Sequence, residues 1–404
     1  MDAAHESAAA RGTMKAATPL AAAIPVAASI PAPIAFAMAI SFAATLGLAP
    51  DPVRAQPQAA TCLQQPGPAC LYAPDASYGF TAYERLTSYI DRTGVSRDLP
   101  MTVRVPVGAP APMPVVIWSH GGADGHLSST GSMREWSETT ARAGYFTIAL
   151  AHRPRDAASR QAICQAIGTI GDAATCEVFK YLNWDRPHDL RAALDEVERM
   201  ATVGDFAGQV DVTRIAVGGH SAGAGGALTG AGARRSFGGA PLTIADRRPA
   251  AFLAFSPQQP GNEGFFDTDF GQPEHSWIDL DRPVLVGTGD GDRTCQPGPE
   301  PGSCIGEMPY GRRIAFERLP AVGNKAMVYV HDTDAFHTLF ALESSRCQTL
   351  GVDPAKCTEM IRWVTAAALA FLDGQLRRIP GALQWLASDR LQRASNGVAE
   401  WRLR

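Results

Sequence analysis

Residues 219–223 carry the residue types of a serine nucleophile held in a tight turn. They read Gly-His-Ser-Ala-Gly, follow an apolar run and precede a segment rich in glycine and alanine. A chain that turns this sharply from strand to helix needs glycines on both sides of the serine, because Cβ atoms there would collide with both elements. Ser221 would then lie at a helix N-terminus, where unpaired N–H groups favour developing negative charge. The turn therefore predicts a nucleophile that forms an oxyanion.

The serine needs partners before this prediction has weight, since a chain with 39 glycines in 404 residues matches a five-residue pattern easily. A serine hydroxyl is a weak nucleophile without a base, and the base must be oriented by a carboxylate. We predict His337 as the base, in the loop after the last predicted strand; His331, nearer to that strand, is the rival. We predict Asp292 as the carboxylate, beyond a glycine-rich turn, and Asp290 remains the alternative.

A tetrahedral oxyanion also needs two preorganised N–H donors. The amide of Ala222, directly after the serine, would supply one of them. Gly122 would supply the other, because it lies in the Ser-His-Gly-Gly-Ala run at 119–123 and glycine lets the backbone approach closely. Three further histidines are expected to pack, shape a loop or cap a helix rather than react: His220, His120 and His188.

The elements that must position these residues alternate along the chain. Short apolar runs without polar alternation are typical of strands buried on both faces, as in a parallel sheet covered by helices. Such strands are predicted at 113–119, 145–150, the run before the serine turn, 250–255, 283–287 and 326–330. Helices are predicted at 132–144, 186–200 with Pro187 in the first turn, after Ser221, at 310–319 and at 359–375. Two extended runs, at 84–89 and 99–105 around a turn at 91–94, predict an antiparallel pair at a sheet edge.

Parallel strands need helical crossovers, so this alternation predicts one α/β domain with a mostly parallel, doubly wound sheet and helices on both faces. In such sheets the ligand site lies beyond the carboxyl ends of the strands. The 119–123 loop, Ser221, Asp292 and His337 all follow predicted strands. We place the domain at 83–404, with loop insertions near 155–181 and 257–280 that are expected to shape the pocket.

Residues 1–55 have a different character from the rest. Arg11 and Lys15 precede a long stretch rich in alanine, proline and isoleucine, which ends in Val-Arg-Ala before Gln56. This pattern predicts a secretory signal peptide cleaved after Ala55, and hence a secreted or periplasmic protein. Residues 56–82 are then an irregular N-terminal segment.

A transmembrane anchor is the alternative interpretation of the same stretch. Pro25, Pro31 and Pro33 interrupt the apolar run, and no charged stop-transfer signal follows it. We therefore expect no stable membrane anchor after signal cleavage. The net charge of −4, without clustered lysine and arginine, argues against a nucleic-acid partner.

The eight cysteines fall as four pairs of close neighbours. An even number in an exported chain favours disulfides, and local pairing needs the least rearrangement of the chain. No Cys-x-x-Cys motif or Cys/His cluster has the spacing of metal ligands, so no zinc site is expected. The predicted pairs are Cys62–Cys70, Cys164–Cys176, Cys295–Cys304 and Cys347–Cys357.

The serine turn, the 119–123 loop, Asp292 and His337 together resemble an α/β-hydrolase, in that family's Ser, Asp, His chain order. The resemblance spans roughly residues 84 to 375. The hairpin before Val105, the Ser-His-Gly loop and the Arg-Pro-His-Asp run at 186–189 are similar to bacterial dienelactone-hydrolase-like and platelet-activating-factor-acetylhydrolase-like esterases.

This resemblance implies a serine esterase that hydrolyses small-molecule or polymeric carboxylic esters without a cofactor or metal. Dienelactone hydrolases themselves have a cysteine where this chain has Ser221, so their substrate is not carried over. A polyester depolymerase, cutinase-like or lipase activity is one alternative, and it needs an exposed aromatic cleft. The candidates for such a cleft are Trp118, Phe265, Phe266 and Trp277, although core or loop packing is the commoner role of each. A non-catalytic binding protein on the same fold is the other alternative.

Overall fold

The computed structural model describes residues 71–122, 133–169, 176, 178–237, 240–257, 277, 279–292, 295–297, 304–306 and 311–404. The predicted signal peptide and most of the predicted irregular segment lie outside these residues. Within them, the strands are β1 Phe80–Ile90, β2 Ser96–Pro106, β3 Met113–Ser119, β4 Phe146–Leu150, β5 Val210–His220, β6 Arg234–Phe237, β7 Ala240–Thr243, β8 Ala251–Phe255, β9 Val284–Gly289, β10 Cys295–Pro297, β11 Cys304–Gly306, β12 Lys325–Val330 and β13 Ala399–Leu403.

Along the chain, the helices lie mostly between successive strands of the sheet. In the same described ranges they are α1 Arg134–Arg142, α2 Ala157–Ala166, α3 Val178–Thr202, α4 Ala222–Ala231, α5 Ile314–Arg318, α6 Ser344–Thr349, α7 Pro354–Leu372, α8 Pro380–Leu386 and α9 Arg390–Ala394. Short 3₁₀ turns cover Gly311–Arg313 and His337–Ala341, and a π-helical turn, Asp373–Arg377, continues α7.

Nine strands form one mixed sheet in the order β1-β2-β4-β3-β5-β8-β9-β12-β13. The six strands from β4 to β12 run parallel, and the antiparallel strands lie at the two edges. This confirms the predicted mostly parallel sheet and the predicted antiparallel pair at one edge. The carboxyl ends of β3, β5, β8, β9 and β12 therefore meet along one side of the sheet.

The sheet separates two apolar cores because successive side chains of a strand point to opposite faces. On β3, Val116 and Trp118 join the core that includes residues of α1 and α7, whereas Val115 and Ile117 join the core that includes residues of α3, α4 and α5. Helices thus cover both faces of the sheet, as predicted. This explains why these strands are apolar without alternation.

The predicted start of the helix at Arg186 is wrong. Helix α3 begins at Val178, so Pro187 lies inside it rather than in its first turn. A proline inside a helix costs about 3 kcal/mol. The earlier turns bury Tyr181, Leu182 and Trp184 in a small third core, and burial of each large apolar side chain stabilises by roughly 1.5–3 kcal/mol. Packing therefore outweighs the local signal of the proline.

Strand β13 was not predicted, and it closes the sheet beside β12 with its register set by the pair Val328 and Trp401. The predicted insertion near 155–181 contains α2. Most of the insertion near 257–280 lies outside the described residues.

The disulfides Cys164–Cys176 and Cys347–Cys357 confirm two of the predicted pairs, with Cα–Cα distances of 5.9 and 6.2 Å. The side chains of the other two pairs, Cys62 with Cys70 and Cys295 with Cys304, lie outside the described part. Across the described ranges, no helix has both the length and the apolar character needed to cross a membrane.

Candidate active site

Ser221 lies in a strained turn between β5 and α4. Its backbone angles are φ 55° and ψ −119°, a conformation that costs a residue with a side chain on the order of 1–3 kcal/mol. A Cβ atom at Gly219 would overlap the backbone of Gly223, and one at Gly223 would overlap the carbonyl of Ser119. Only glycine fits these two positions, so the spacing in the sequence follows from sterics. The Ser221 amide donates to the carbonyl of Phe255 at 3.0 Å and ties the turn to β8.

Residues 119–122, which begin at the last residue of β3, run beside this serine; we call them the 119–122 loop. Gly121 comes so close that a Cβ on it would lie 2.9 Å from the Cβ of Ser221. Gly122 has φ +83°, a left-handed conformation that favours glycine. Ala222 is the first residue of α4, and the α-helix itself leaves the amides of its first turn unsatisfied. The two predicted oxyanion donors thus belong to segments that flank the Ser221 backbone.

Asp292 and His337 lie together at the carboxyl ends of β9 and β12. His337 Nδ1 is 3.0 Å from Asp292 Oδ1, and Thr288 donates its hydroxyl to Asp292 Oδ2 at 2.8 Å. Asp292 is fully buried, whereas the side chain of His337 is 23% exposed. A buried carboxylate therefore orients a histidine that has access to solvent.

Ser256 and Arg312 complete this cluster, and the sequence reasoning missed both. The Ser256 hydroxyl donates to Asp292 Oδ1 at 2.6 Å and also contacts His337 Nδ1. The buried Arg312 donates to Ser256 Oγ at 2.7 Å, and its Nε lies 3.4 Å from Asp292 Oδ1. Ser256 directly follows β8, a position that could have drawn attention to it, but no sequence signal singles out Arg312.

These neighbours decide the charge of Asp292. Burial by itself would raise the pKa of the Asp292 carboxyl group, but the Arg312 cation, together with the bonds from His337 and Ser256, outweighs burial and lowers that pKa to about 2. Asp292 is therefore anionic at neutral pH. It can stabilise an imidazolium at His337.

The two rivals from the sequence are engaged elsewhere. Asp290 accepts a hydrogen bond from the Tyr329 hydroxyl at 2.6 Å, and His331 Nε2 is bonded to Glu400 of β13 at 2.9 Å. Asp290 and His331 lie 3.9 Å from each other, and both side chains are 42% exposed. The structure thus brings Asp292, and not Asp290, to His337.

His220 contacts His337 through a hydrogen bond and through its ring. Its Nε2 donates to the main-chain carbonyl of His337 at 2.9 Å, and the two rings lie 4.3 Å apart between centroids. Burial, and then the neighbouring His337, lowers the pKa of His220 well below 6.5, so its imidazole stays neutral. His188, by contrast, stacks on Trp184 and bonds its carbonyl, which is a packing role.

A second Ser, His and Asp set lies deeper in the molecule; we call Ser119, His152 and Asp189 the buried trio. Ser119 Oγ is 2.7 Å from His152 Nε2, and His152 Nδ1 is 2.8 Å from Asp189 Oδ2. Asp189 also accepts hydrogen bonds from Tyr89 at 2.7 Å and Arg97 at 2.9 Å. No more than 1% of any residue of the trio is exposed.

The charges of the buried trio are fixed by burial and by arginines. Burial, and then the Arg186 cation, lowers the pKa of His152 to about 3. Burial would raise the pKa of Asp189, but Arg97 and His152 outweigh it and hold that pKa well below the usual range. His152 is therefore neutral; its Nδ1–H donates to Asp189, and its Nε2 accepts from Ser119.

Two of the four candidate aromatics, Trp118 and Trp277, pack in the core rather than line an exposed cleft. Trp118 and Trp277 are fully buried, and Trp118 stacks on Trp136 with ring centroids 5.0 Å apart. Phe265 and Phe266 lie outside the described residues.

No family model and no curated protein matches the chain. A similar solved structure is that of a ferulic acid esterase from Streptomyces cinnamoneus, with a TM-score of 0.50 and 17% sequence identity. The match covers 81% of this chain and 98% of the esterase chain. At this identity the likeness shows the fold: the chain has an α/β fold similar to that of an esterase-type hydrolase.

Proposed function

We propose that this protein is a serine hydrolase that cleaves carboxylic esters through Ser221, His337 and Asp292. The observation that carries the proposal is the 3.0 Å contact of the buried Asp292 with His337. This contact lies at the carboxyl ends of the parallel strands, on the side of the sheet that also holds the strained Ser221 turn. A fold similar to that of a ferulic acid esterase supports ester hydrolysis as the reaction.

In the proposed reaction, Asp292 holds His337 through Nδ1 and leaves Nε2 to take the proton of the Ser221 hydroxyl. Ser221 Oγ attacks the ester carbonyl carbon, and the amides of Gly122 and Ala222 hold the resulting oxyanion. The tetrahedral intermediate collapses as His337 gives its proton to the leaving alcohol. Water, deprotonated by His337, then releases the acid from the acyl-enzyme. The reaction needs no cofactor or metal.

A fluorophosphonate probe and a short p-nitrophenyl ester test this proposal. We expect one probe molecule per chain, located on Ser221 by peptide mapping, and turnover that stops on labelling. Ser221→Ala should lose both. A well-folded wild-type protein that neither labels nor hydrolyses would reject the enzyme and favour the non-catalytic alternative. Comparing polymer film with soluble esters separates a polyester depolymerase from an esterase of small substrates.

We further propose that the protein is exported. The two described disulfides suit an oxidising compartment. N-terminal sequencing of protein recovered outside the cytoplasm should begin at Gln56, and retention of residues 1–55 on the recovered protein would contradict the predicted cleavage after Ala55.

A further inference from the structure

The Arg-Pro-His-Asp run at 186–189 has no place in the reaction described above, yet its arginine is tied to the site. Arg186 is 1% exposed and donates to the carbonyls of His120 at 2.8 Å and Gly122 at 2.9 Å. A planar guanidinium can serve two acceptors at once, which a lysine ammonium cannot do in the same geometry. Arg186 therefore holds the 119–122 loop by the two carbonyls on either side of Gly121.

Close packing of α3 on α4 makes this reach possible. A Cβ on Gly226 of α4 would lie 2.9 Å from the Cβ of Arg186, so a larger residue there would push the two helices apart. Burial lowers the pKa of Arg186 to about 10, so the side chain remains a cation at neutral pH. Charge-assisted hydrogen bonds are the stronger kind, which suits a clamp.

Helix α3 also restrains the 119–122 loop through the buried trio. Asp189, at i+3 from Arg186, holds the ring of His152, and the main-chain amide of His152 donates to His120 Nε2 at 3.2 Å. His120 Nδ1 in turn donates to the carbonyl of Gly121 at 2.6 Å. All three carbonyls from 120 to 122 are thus fixed.

Fixing the carbonyls also fixes the amides. In a planar trans peptide the N–H points opposite to the C=O, so the amides of Gly121 and Gly122 are directed away from the groups that hold their preceding carbonyls. A glycine loop can flip its peptides at small cost, and a flipped peptide would present a carbonyl oxygen to an oxyanion. The His120 ring holds the carbonyl of the peptide that carries the Gly122 amide, and Arg186 holds the carbonyls of the peptides before and after it, so Arg186 restrains this peptide from both sides.

We propose that Arg186 is a positioning residue that holds the 119–122 loop in its oxyanion-binding orientation. This inference rests on the proposed ester hydrolysis, since it assigns Arg186 a role in that same site. Arg186 stabilises the transition state through the loop and does not contact the substrate.

The test compares Arg186→Met and Arg186→Lys with a matched control, Arg155→Met. The Arg155 side chain is only 5% exposed, but its ion pairs are with Asp91 at 2.8 Å and Asp185 at 2.6 Å rather than with the loop. For each protein a fluorophosphonate titration counts competent active sites. Then kcat and KM for a p-nitrophenyl ester, and the inhibition constant of a trifluoromethyl ketone, are measured per competent site.

We expect Arg186→Met to lower kcat about a hundredfold, the size of effect that loss of one oxyanion donor has. KM should change little, and the ketone, which forms a tetrahedral oxyanion on the serine, should bind more weakly in proportion to kcat. Arg186→Lys should fall between, because it can serve one carbonyl. Arg155→Met should keep the wild-type kcat per competent site even if it melts at a lower temperature.

The inference is overturned if Arg186→Lys and Arg186→Met match Arg155→Met in kcat per competent site and in ketone binding. If Arg186→Met does not fold, Arg186→Lys alone decides by the same two measurements. Loss of activity explained wholly by fewer competent sites also overturns it, because that is the result of a structural role. A wild-type protein that neither labels nor turns over rejects the proposed function itself.

Discussion

The described part of the molecule holds two sets of serine, histidine and aspartate, and their His–Asp contacts are nearly the same. The His–Asp distance is 3.0 Å for His337 and Asp292 and 2.8 Å in the buried trio. Their exposure differs: the side chain of His337 is 23% exposed, whereas that of His152 is 2% exposed. A hydrogen-bonded Ser, His and Asp set therefore does not by itself identify an active site.

The backbone makes the second difference. Ser221 lies at positive φ in the strained turn at the start of α4, which suits a nucleophile. Ser119 ends the extended strand β3, is fully buried, and lies 2.7 Å from His152. In the proposed reaction Ser221 meets the substrate, whereas the Ser119 hydroxyl donates to His152 inside the protein.

Electrostatics separates the two sets further. Each carboxylate has a buried arginine near it, Arg312 beside Asp292 and Arg97 beside Asp189, and the pKa of each is lowered against the effect of burial. The pKa of His152, however, lies at about 3, chiefly because of burial. A general base must accept a proton near the working pH, so His152 cannot act as one.

The largest expected difference is between the two serines. Ser221→Ala should lower kcat/KM for a p-nitrophenyl ester by about 10⁴-fold or more, because it removes the nucleophile. Ser119→Ala should keep kcat per competent site within about threefold, and should lose roughly 1–3 kcal/mol of stability because it leaves a buried acceptor on His152. Loss of turnover in a well-folded Ser119→Ala protein would contradict this assignment.

The two carboxylates should fail in different ways. Asp292→Asn should lower kcat about 10⁴-fold, since it removes the charge that orients and stabilises protonated His337. Asp189→Asn should instead lose about 3–5 kcal/mol of unfolding free energy, because the buried Arg97 loses its nearest carboxylate and Asp185 lies farther away, at 3.6 Å. Activity assays and urea unfolding check the two results.

Asp290→Asn is the control for the acid, and we expect it to retain near-wild-type kcat because Asp290 bonds Tyr329. If Asp290→Asn lost as much activity as Asp292→Asn, the choice between the two acids would be wrong.

Acid should destabilise the protein through the buried trio. The pKa of His152 is about 3 in the folded protein and near 6.5 when unfolded, so between these values the unfolded chain binds a proton that the folded chain does not. The free energy of unfolding should therefore fall as pH drops from about 6.5 toward 3, by up to about 1.4 kcal/mol per pH unit from this group. His220, whose pKa is also lowered, adds a loss of the same sign.

Urea unfolding at several values between about pH 6.5 and pH 4.5 measures this slope. His152→Gln should reduce it, since glutamine does not titrate there. Equal slopes in the variant and the wild-type protein would show that His152 is not the group responsible.

Among the residues that contact Asp292, a smaller loss of activity is expected at Ser256. Ser256→Ala removes the 2.6 Å bond to Asp292 Oδ1, and a hydrogen bond to a charged group contributes about 1.5–3 kcal/mol. Thr288 and Arg312 still contact Asp292, so we expect kcat/KM to fall only about tenfold, at the lower end of that range. Thr288→Val, which removes the bond to the other oxygen, is the matched control. Unchanged kcat/KM in Ser256→Ala would show that the Ser256 hydroxyl is not needed.

Much of the fold and the core of the candidate site could be predicted from local features. Glycines at 219 and 223 follow from the sterics of one turn, and apolar runs mark strands covered on both faces. Because parallel strands end along one side of the sheet, the residues after them, Asp292 and His337, could be placed near each other without coordinates. The start of α3 could not be predicted, since Pro187 gave a local signal that the packing of an earlier turn outweighed.

The sequence by itself determined which residue types end the strands and where the Ser221 turn lies, because those depend on constraints within a few residues. Only the tertiary structure decided that Asp292 rather than Asp290 meets His337, that Arg312 and Ser256 join them, and that Arg186 clamps the 119–122 loop. The buried trio likewise joins residues from β3, the segment after β4 and α3. Contacts between residues so far apart in the chain depend on how the elements pack together, and no local pattern in the sequence says which distant side chains meet.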